Sequence, residues 1–240
     1  MPGLKGALIS FMPTFVGAIP NVIVFQINPE TISHVWSEAS SAVGPTASDG
    51  RTISDPLAVS GVPGETFSFT LVMDANDEIA DIGANPIAGG LATASGAYIH
   101  LAALEMLQYP MASASALLGQ VSAALSSASS GTNSTPSTSV PASQVPVVLF
   151  VWGPQRIVPV RVTQLTITEK LYDALLNPVQ AEAQITLSVL TPEELAAVQG
   201  PMRDVANIAY VYTQGLRQAQ AAANLADAAA SIIGMLPTPF

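Results

Sequence analysis

The chain has 240 residues, only 10% of them charged, with seven Lys+Arg against 17 Asp+Glu and a formal net charge of −10. So few cations leave no basic footprint for phosphates, which excludes nucleic acid and argues against an anionic membrane surface as partner. There is no cysteine, hence no disulfide framework and no thiolate metal site, in keeping with an intracellular origin.

The length suits one large domain or two small ones, enough to bury about 70–75% of the unfolded surface. A mean hydropathy of +0.44 is high for a soluble monomer. Two environments accommodate it: a membrane, or an assembly in which neighbours cover much of each subunit. The acidic balance then serves solubility or meets a basic patch on a partner.

Residues 6–25 form an uncharged run behind Lys5. A signal peptide or anchor is one reading of that length, and a buried helix another. Pro13 and Pro20 interrupt the run, a single lysine is a thin leader, and no small-x-small cleavage site follows. Val22 and Val24, with Ile23, Phe25 and Ile27, predict instead a strand buried on both faces. Residues 37–64, rich in Gly, Pro and Ser, predict a long loop. Phe67, Phe69, Leu71 and Met73 alternate with Ser68, Thr70 and Val72 in a well-patterned strand, ended by Asp74-Ala75-Asn76-Asp77. A helix capped by Ser95 is expected next, with Leu101, Leu104, Glu105 and Gln108 at helical spacing and Pro110 ending it. Residues 111–145 shift to Ala, Ser, Thr and Gly. Their core, 126–138, has no charge and no apolar side chain larger than alanine apart from one proline, so it predicts a mobile insertion.

From Pro146 to Thr191 the pattern reads as four antiparallel strands in sequence. They are Val147–Val151, Ile157–Val162, a run through Leu165, Ile167 and Leu171, and a run through Ala183, Ile185, Leu187 and Val189. Trp152-Gly153-Pro154 and Asn177-Pro178 supply the turns. Thr191 then caps a helix, with Pro192 at its first position and Glu194 completing a capping box. Gly200-Pro201 interrupts, and Met202 to Ile233 predicts one helix about 45–50 Å long. Its apolar positions are Met202, Val205, Ala209, Tyr212, Leu216, Ala219, Ala223, Ala226, Ala230 and Ile233. That seam either folds back on its own domain or contacts a neighbouring subunit; Asn224 and Asp227 argue against a membrane span.

Two halves of the chain together carry a resemblance. The first is a strand running through Val24 into Phe25-Gln26-Ile27-Asn28-Pro29-Glu30-Thr31. The second is Trp152-Gly153 after a short apolar strand, then a strand ending in Leu171-Tyr172-Asp173, a Pro-containing turn, and a closing strand beginning near Ala181. In this order they resemble the tube-like domain of contractile injection system baseplate proteins, the LysM-type component of phage-tail-like particles. The resemblance spans roughly residues 5–191 and departs from the family at three points. Gln180 stands where the family has a basic residue, the turn glycine is missing, and no LysM-like segment follows, which removes peptidoglycan binding from the expectation.

The resemblance implies a mainly β fold with helices: a tube-like antiparallel β-sandwich or barrel with one packed helix and a long C-terminal helix. The tube-like domain would cover 1–191, interrupted by the insertion at 111–145, and a helical extension would cover 192–240. The implied function is structural, joining inner tube to baseplate or spike hub in the cytoplasmically assembled particle. Its partners would be copies of itself in a ring, sixfold by family, with spike-hub, tube and sheath-side baseplate proteins. A tube-end or cap protein is the alternative within that class. From another class comes a secreted or membrane-associated carbohydrate-binding module.

No constellation for catalysis, cofactor or metal is expected, and an enzyme is not. His34 and His100 lack metal-helix spacing, and no nucleophile elbow, phosphate loop or dinucleotide fingerprint occurs. Asp74, Asp77, Glu78 and Asp81 read as turn chemistry rather than a calcium loop. Asn133-Ser134-Thr135 fits a glycosylation triplet in a Ser/Thr-rich stretch. Trp36 and Trp152 are core packing or, less simply, carbohydrate platforms.

Overall fold

A seven-stranded antiparallel sheet dominates the computed structural model, which describes residues 3–14, 17–41, 59–80, 83, 93, 95–109, 145–198 and 202–235. In chain order the elements are β1 (Ala7–Thr14), β2 (Gly17–Val24), β3 (Ile32–Ser37), β4 (Ser40–Ser41), β5 (Val59–Ser60) and β6 (Gly64–Asp74). Helices α1 (Ala75–Ala80) and α2 (Tyr98–Glu105) follow, then β7 (Val148–Val151), β8 (Ile157–Tyr172) and β9 (Pro178–Val189). Helices α3 (Pro192–Ala196) and α4 (Met202–Met235) close the chain. Strand order in the sheet is β2-β1-β7-β8-β9-β6-β3, while β4 and β5 make a separate two-residue ladder inside the expected 37–64 loop. The fold is mainly β with helices. The sheet is a single open one, not closed into a barrel.

The sheet is nevertheless rolled. Phe150 on β7 and Phe67 on β6 are three strands apart in order, roughly 14 Å in a flat sheet. Their ring centroids are 5.3 Å apart, and Phe150 also stacks on Phe69 at 5.4 Å. Phe25, just past β2, lies 5.6 Å from Phe69 although five strand spacings separate their strands. The concave face therefore closes on itself around Leu8, Phe25, Phe67, Phe69, Phe150, Val160, Ile185 and Leu187, all buried. Helix α2 lies over the mouth between β2 and β6, with Leu101 and Leu104 in the same core. Its start differs from expectation. Ala97 is the N-cap, with no side-chain bond, because Gly96 turns the chain in the left-handed region against the Pro178 carbonyl. The Ala97 N–H then donates to Pro178 O (2.8 Å).

The sequence period needs two corrections. Residues 157–172 form one strand, so three strands, not four, cross 146–191. Val158, Val160 and Val162 face the core at even positions, yet Leu165 and Ile167 face it at odd ones. A bulge between Val162 and Gln164 inserts Thr163 and shifts the parity, and the Thr163 hydroxyl donates to Thr186 O (3.1 Å). The second correction concerns residues 22–27. Val22 and Val24 are half exposed while Ile23 and Phe25 are buried, so β2 buries one face. The doubly buried strand is β7, where Val148 and Phe150 enter the concave core and Leu149 the convex one.

The convex core consists of Val147, Leu149, Leu195, Met202, Ala206 and Ala209, so α3 and α4 cover that side. The capping box at Thr191 forms as expected, with Glu194 N donating to Thr191 Oγ1 (3.3 Å) and Thr191 N to Glu194 Oε2 (2.8 Å). Helix α4 turns a different face to the body than its larger apolar residues suggest. Met202, Ala206, Ala209 and Thr213 are buried, whereas Val205, Tyr212, Ala219 and Ala223 are exposed. Thr213 takes that place because its hydroxyl pairs with strand backbone, donating to Ile157 O (2.7 Å) and accepting from Ile157 N (3.2 Å). The insertion core at 126–138 lies outside the described residues. Among the described residues no helix is long and apolar enough to cross a membrane.

Candidate functional site

Of the residues that carry the resemblance, Phe25 and Trp152 meet in the core, and Gln26 and Asn28 bond to nearby backbone. Phe25 fills the core and its N–H donates to Gly6 O (2.9 Å). Gln26 closes the seam of the roll: its Nε2 donates to Asp74 O (2.6 Å) and its Oε1 accepts from Asp74 N (2.8 Å). An amide side chain here replaces a strand neighbour, since it offers one donor and one acceptor to the backbone. Asn28 holds the start of β1, accepting from Gly6 N (2.9 Å) and donating to Leu4 O (2.8 Å). Trp152 lies 6.3 Å from Phe25, against Gly6, where a Cβ would meet the indole at 2.6 Å. Gly153 takes a φ of +72° just beyond it.

A buried carboxylate joins the concave face to α4. Glu65 is 4% exposed and shares the register of Phe67 and Phe69. Arg217 grips it with both terminal nitrogens, Nη1 donating to Oε2 at 2.9 Å and Nη2 donating to Oε1. His34 Nε2 donates to Oε1 at 2.7 Å. The His34 ring stacks on Phe67 (4.3 Å), and the Arg217 guanidinium lies over Trp36 (5.0 Å). The Arg156 guanidinium lies over the Phe67 ring, 5.2 Å from its centre. Burial, then the Arg217 charge, lowers its pKa below the ordinary arginine value, and Glu65 opposes that shift. Further contacts tie α4 to the β7–β8 turn: Tyr212 Oη donates to Pro154 O (3.0 Å) and Gln220 Nε2 to Gln155 Oε1 (3.2 Å). The arrangement fastens a helix to the sheet.

The β8–β9 turn is the opposite kind of feature, rigid yet exposed. Asp173 Oδ1 accepts from Leu175 N and Asn177 N (both 2.8 Å), and its Oδ2 from Asn177 Nδ2 (2.9 Å). Those Asn177 bonds, side chain first, hold its carboxyl below the ordinary 3.8, against a smaller desolvation effect. Leu171 takes φ 51° and Leu176, inside the clamped turn, φ 65°, left-handed values that cost an L-residue about 1–2 kcal/mol. Leu175 and Leu176 are 77% and 75% exposed, and Leu171 and Tyr172 also face outward.

Of the sequence candidates, His34 is a partner of Glu65, and His100 lies on α2 facing the mouth between β2 and β6. The structure does not bring the two together. Asp74 serves as turn chemistry, accepting from Asn76 N (2.9 Å) and Gln180 Nε2 (2.6 Å). Asp81 and the Asn133 triplet lie outside the described residues. Trp152 is packed between Phe25 and Phe150, whereas Trp36 is half exposed and carries Arg217 on its ring. Among the described residues no group of three or more His, Asp or Glu is placed to hold a metal. Sequence reasoning missed Glu65 and Arg217, although a charge two residues before Phe67 on an alternating strand was a usable signal.

No family model matches the chain, and no curated protein matches it. Among solved structures, it is similar to the tail of an empty GTA particle with C6 symmetry. The identity is 11% over 77% of this chain and 91% of that one, with a TM-score of 0.28. A likeness so distant leaves function to be argued from the chain's own residues.

Proposed function

We propose that this chain is a structural subunit of a phage-tail-like contractile particle, assembled as a ring of copies in the cytoplasm. The supporting observation is apolar surface where a monomer has no use for it. Leu171, Leu175 and Leu176 on the β8–β9 turn, and Val205, Ile208, Val211 and Leu225 on α4, are large and exposed in a chain with few charges. The sequence resemblance adds the particle class, and its Phe25, Gln26 and Asn28 are the residues that seal the rolled sheet. The proposed role is non-enzymatic, and the pairing of the buried Glu65 carboxylate with its own arginine and histidine is in keeping with it. The finer assignment, to the junction of inner tube and baseplate with sixfold stoichiometry, rests on the resemblance alone; a tube-end or cap position is its alternative.

Sedimentation velocity and negative-stain imaging of the purified chain, followed by imaging of native particles with this subunit labelled, test the reading. Rings alone and a label at one fixed level of the particle are expected. A chain that stays monomeric at all concentrations and is missing from particles would sink it.

A further inference from the structure

Two arginines, Arg156 and Arg217, stand beside one carboxylate, Glu65. The chain has only seven Lys+Arg and a net charge of −10, so two cations at one acid do not follow from abundance. Glu65 is already occupied. Its Oε1 accepts from Arg217 Nη2 and His34 Nε2, and its Oε2 from Arg217 Nη1. The ion pair cancels, and the charge of Arg156 is left over.

Arg156 is half-buried, yet among the described residues its guanidinium has neither a hydrogen bond nor an ion pair. Its N–H donors have only the Phe67 ring beside them, 5.2 Å from the guanidinium carbon. Burial, then the Arg217 charge, works against a cation there, and Glu65 offsets only part of that effect. An anion that reached this side chain would relieve the imbalance. The guanidinium fork suits a carboxylate best, through two parallel hydrogen bonds.

The position is also fixed in advance. Trp152 N donates to Arg156 O (2.8 Å), closing the β7–β8 turn. Helix α4 braces the same turn, through Tyr212 to Pro154 and Gln220 to Gln155. A backbone already held lowers the ordering cost of binding.

We propose that Arg156 is an anion receptor whose ligand is a carboxylate from outside this subunit. An acidic side chain of another copy and a free small carboxylate present the same two oxygens. The chain carries 17 Asp+Glu, so another copy has such groups to offer. The receptor itself does not rest on the assembly reading above.

The ¹⁵N–¹H signal of the Arg156 Nε–H reads the site directly, assigned by its loss in Arg156→Lys, which keeps the charge. Sodium acetate, titrated against sodium chloride at constant ionic strength, is expected to shift that signal saturably. The Nε–H of Arg161, which is exposed, serves as the control and should not move. Acetate should also raise the melting temperature of the wild type above its value in chloride, and Arg156→Gln should abolish that rise. An Arg156 signal that answers acetate no more than chloride, an equal response at Arg161, or an undiminished melting rise in Arg156→Gln overturns the proposal. Sedimentation then assigns the source of the ligand. Self-association weakened alike by acetate and by Arg156→Gln places a neighbour's carboxylate on the receptor. Association indifferent to both, with the acetate shift intact, assigns a free carboxylate. Rings that form without any acetate shift overturn the receptor and leave the assembly reading standing. A chain that stays monomeric but binds acetate at Arg156 upholds the receptor and overturns the assembly reading.

Discussion

At Glu65, alternation and charge conflict on one strand. The position faces inward with Phe67 and Phe69, and a carboxylate is tolerated there only because Arg217 and His34 reach it. The two partners are not equally exposed: the Arg217 side chain keeps 26% of its surface, Glu65 only 3%. Removing the arginine thus leaves a buried charge held by one histidine, whereas removing the carboxylate leaves a cation that still meets water and the Trp36 ring. Arg217→Met should cost about 3–5 kcal/mol by urea unfolding, and Glu65→Met should cost less. The double Met variant should recover most of the loss, since an apolar pair of similar volume needs no compensation. Equal single costs that simply add would show that the residues are not coupled. The carboxylate on an inward register position was legible in the sequence. Its partner, 152 residues away, was not, because an ion pair at that separation is set by the docking of α4.

Among elements, the sequence read best where one face is buried and the period is uninterrupted. β6 and β9 have the inward residues expected of them, Phe67 to Met73 and Ala183 to Val189. β8 was divided wrongly because a bulge leaves the chain extended while reversing parity, and a change of phase looks like a turn when only periodicity is followed. For α4 the element was legible and its orientation was not. Several stripes of its surface are apolar or small, and the one that docks contains Thr213, selected by the free backbone of Ile157 rather than by hydropathy. Residues 219–225 lie beyond the docked stripe and are all exposed. Ala223→Glu is therefore expected to change the stability of the isolated subunit by no more than about 0.5 kcal/mol. On the proposed assembly, with this face covered by a neighbour, incorporation into particles should nevertheless fall sharply, since a carboxylate buried there stays charged without a partner. A lowered melting temperature would place residue 223 against its own body, and full incorporation would leave that face to solvent.

At the scale of the molecule, the property least visible in the sequence is the roll of the sheet. The β7-β8-β9 pairings follow from turns and alternation, while the β1-β7 and β6-β9 pairings are long-range; curvature is the sum of twist, the bulge at Thr163 and packing between strands that never pair. The rings record it: Phe25 and Phe69 belong to strands that a flat sheet would hold roughly 24 Å apart, yet their centroids lie 5.6 Å apart. Contact implies energetic coupling, and separation by that distance implies none, so a double-mutant cycle reads the curvature directly. Phe25→Ala and Phe69→Ala should each cost about 3–5 kcal/mol. Both side chains pack in one core, so the first truncation loosens the packing around the second. The double variant should lose less than the sum of the singles, by about 0.5–1.5 kcal/mol, the range measured for aromatic pairs. Additivity of the Phe25 and Phe69 costs within about 0.3 kcal/mol would mean that the two strands do not face each other. The seam closed by Gln26 and Asp74 would then have to be abandoned with the roll, because those hydrogen bonds exist only if the ends of β2 and β6 meet.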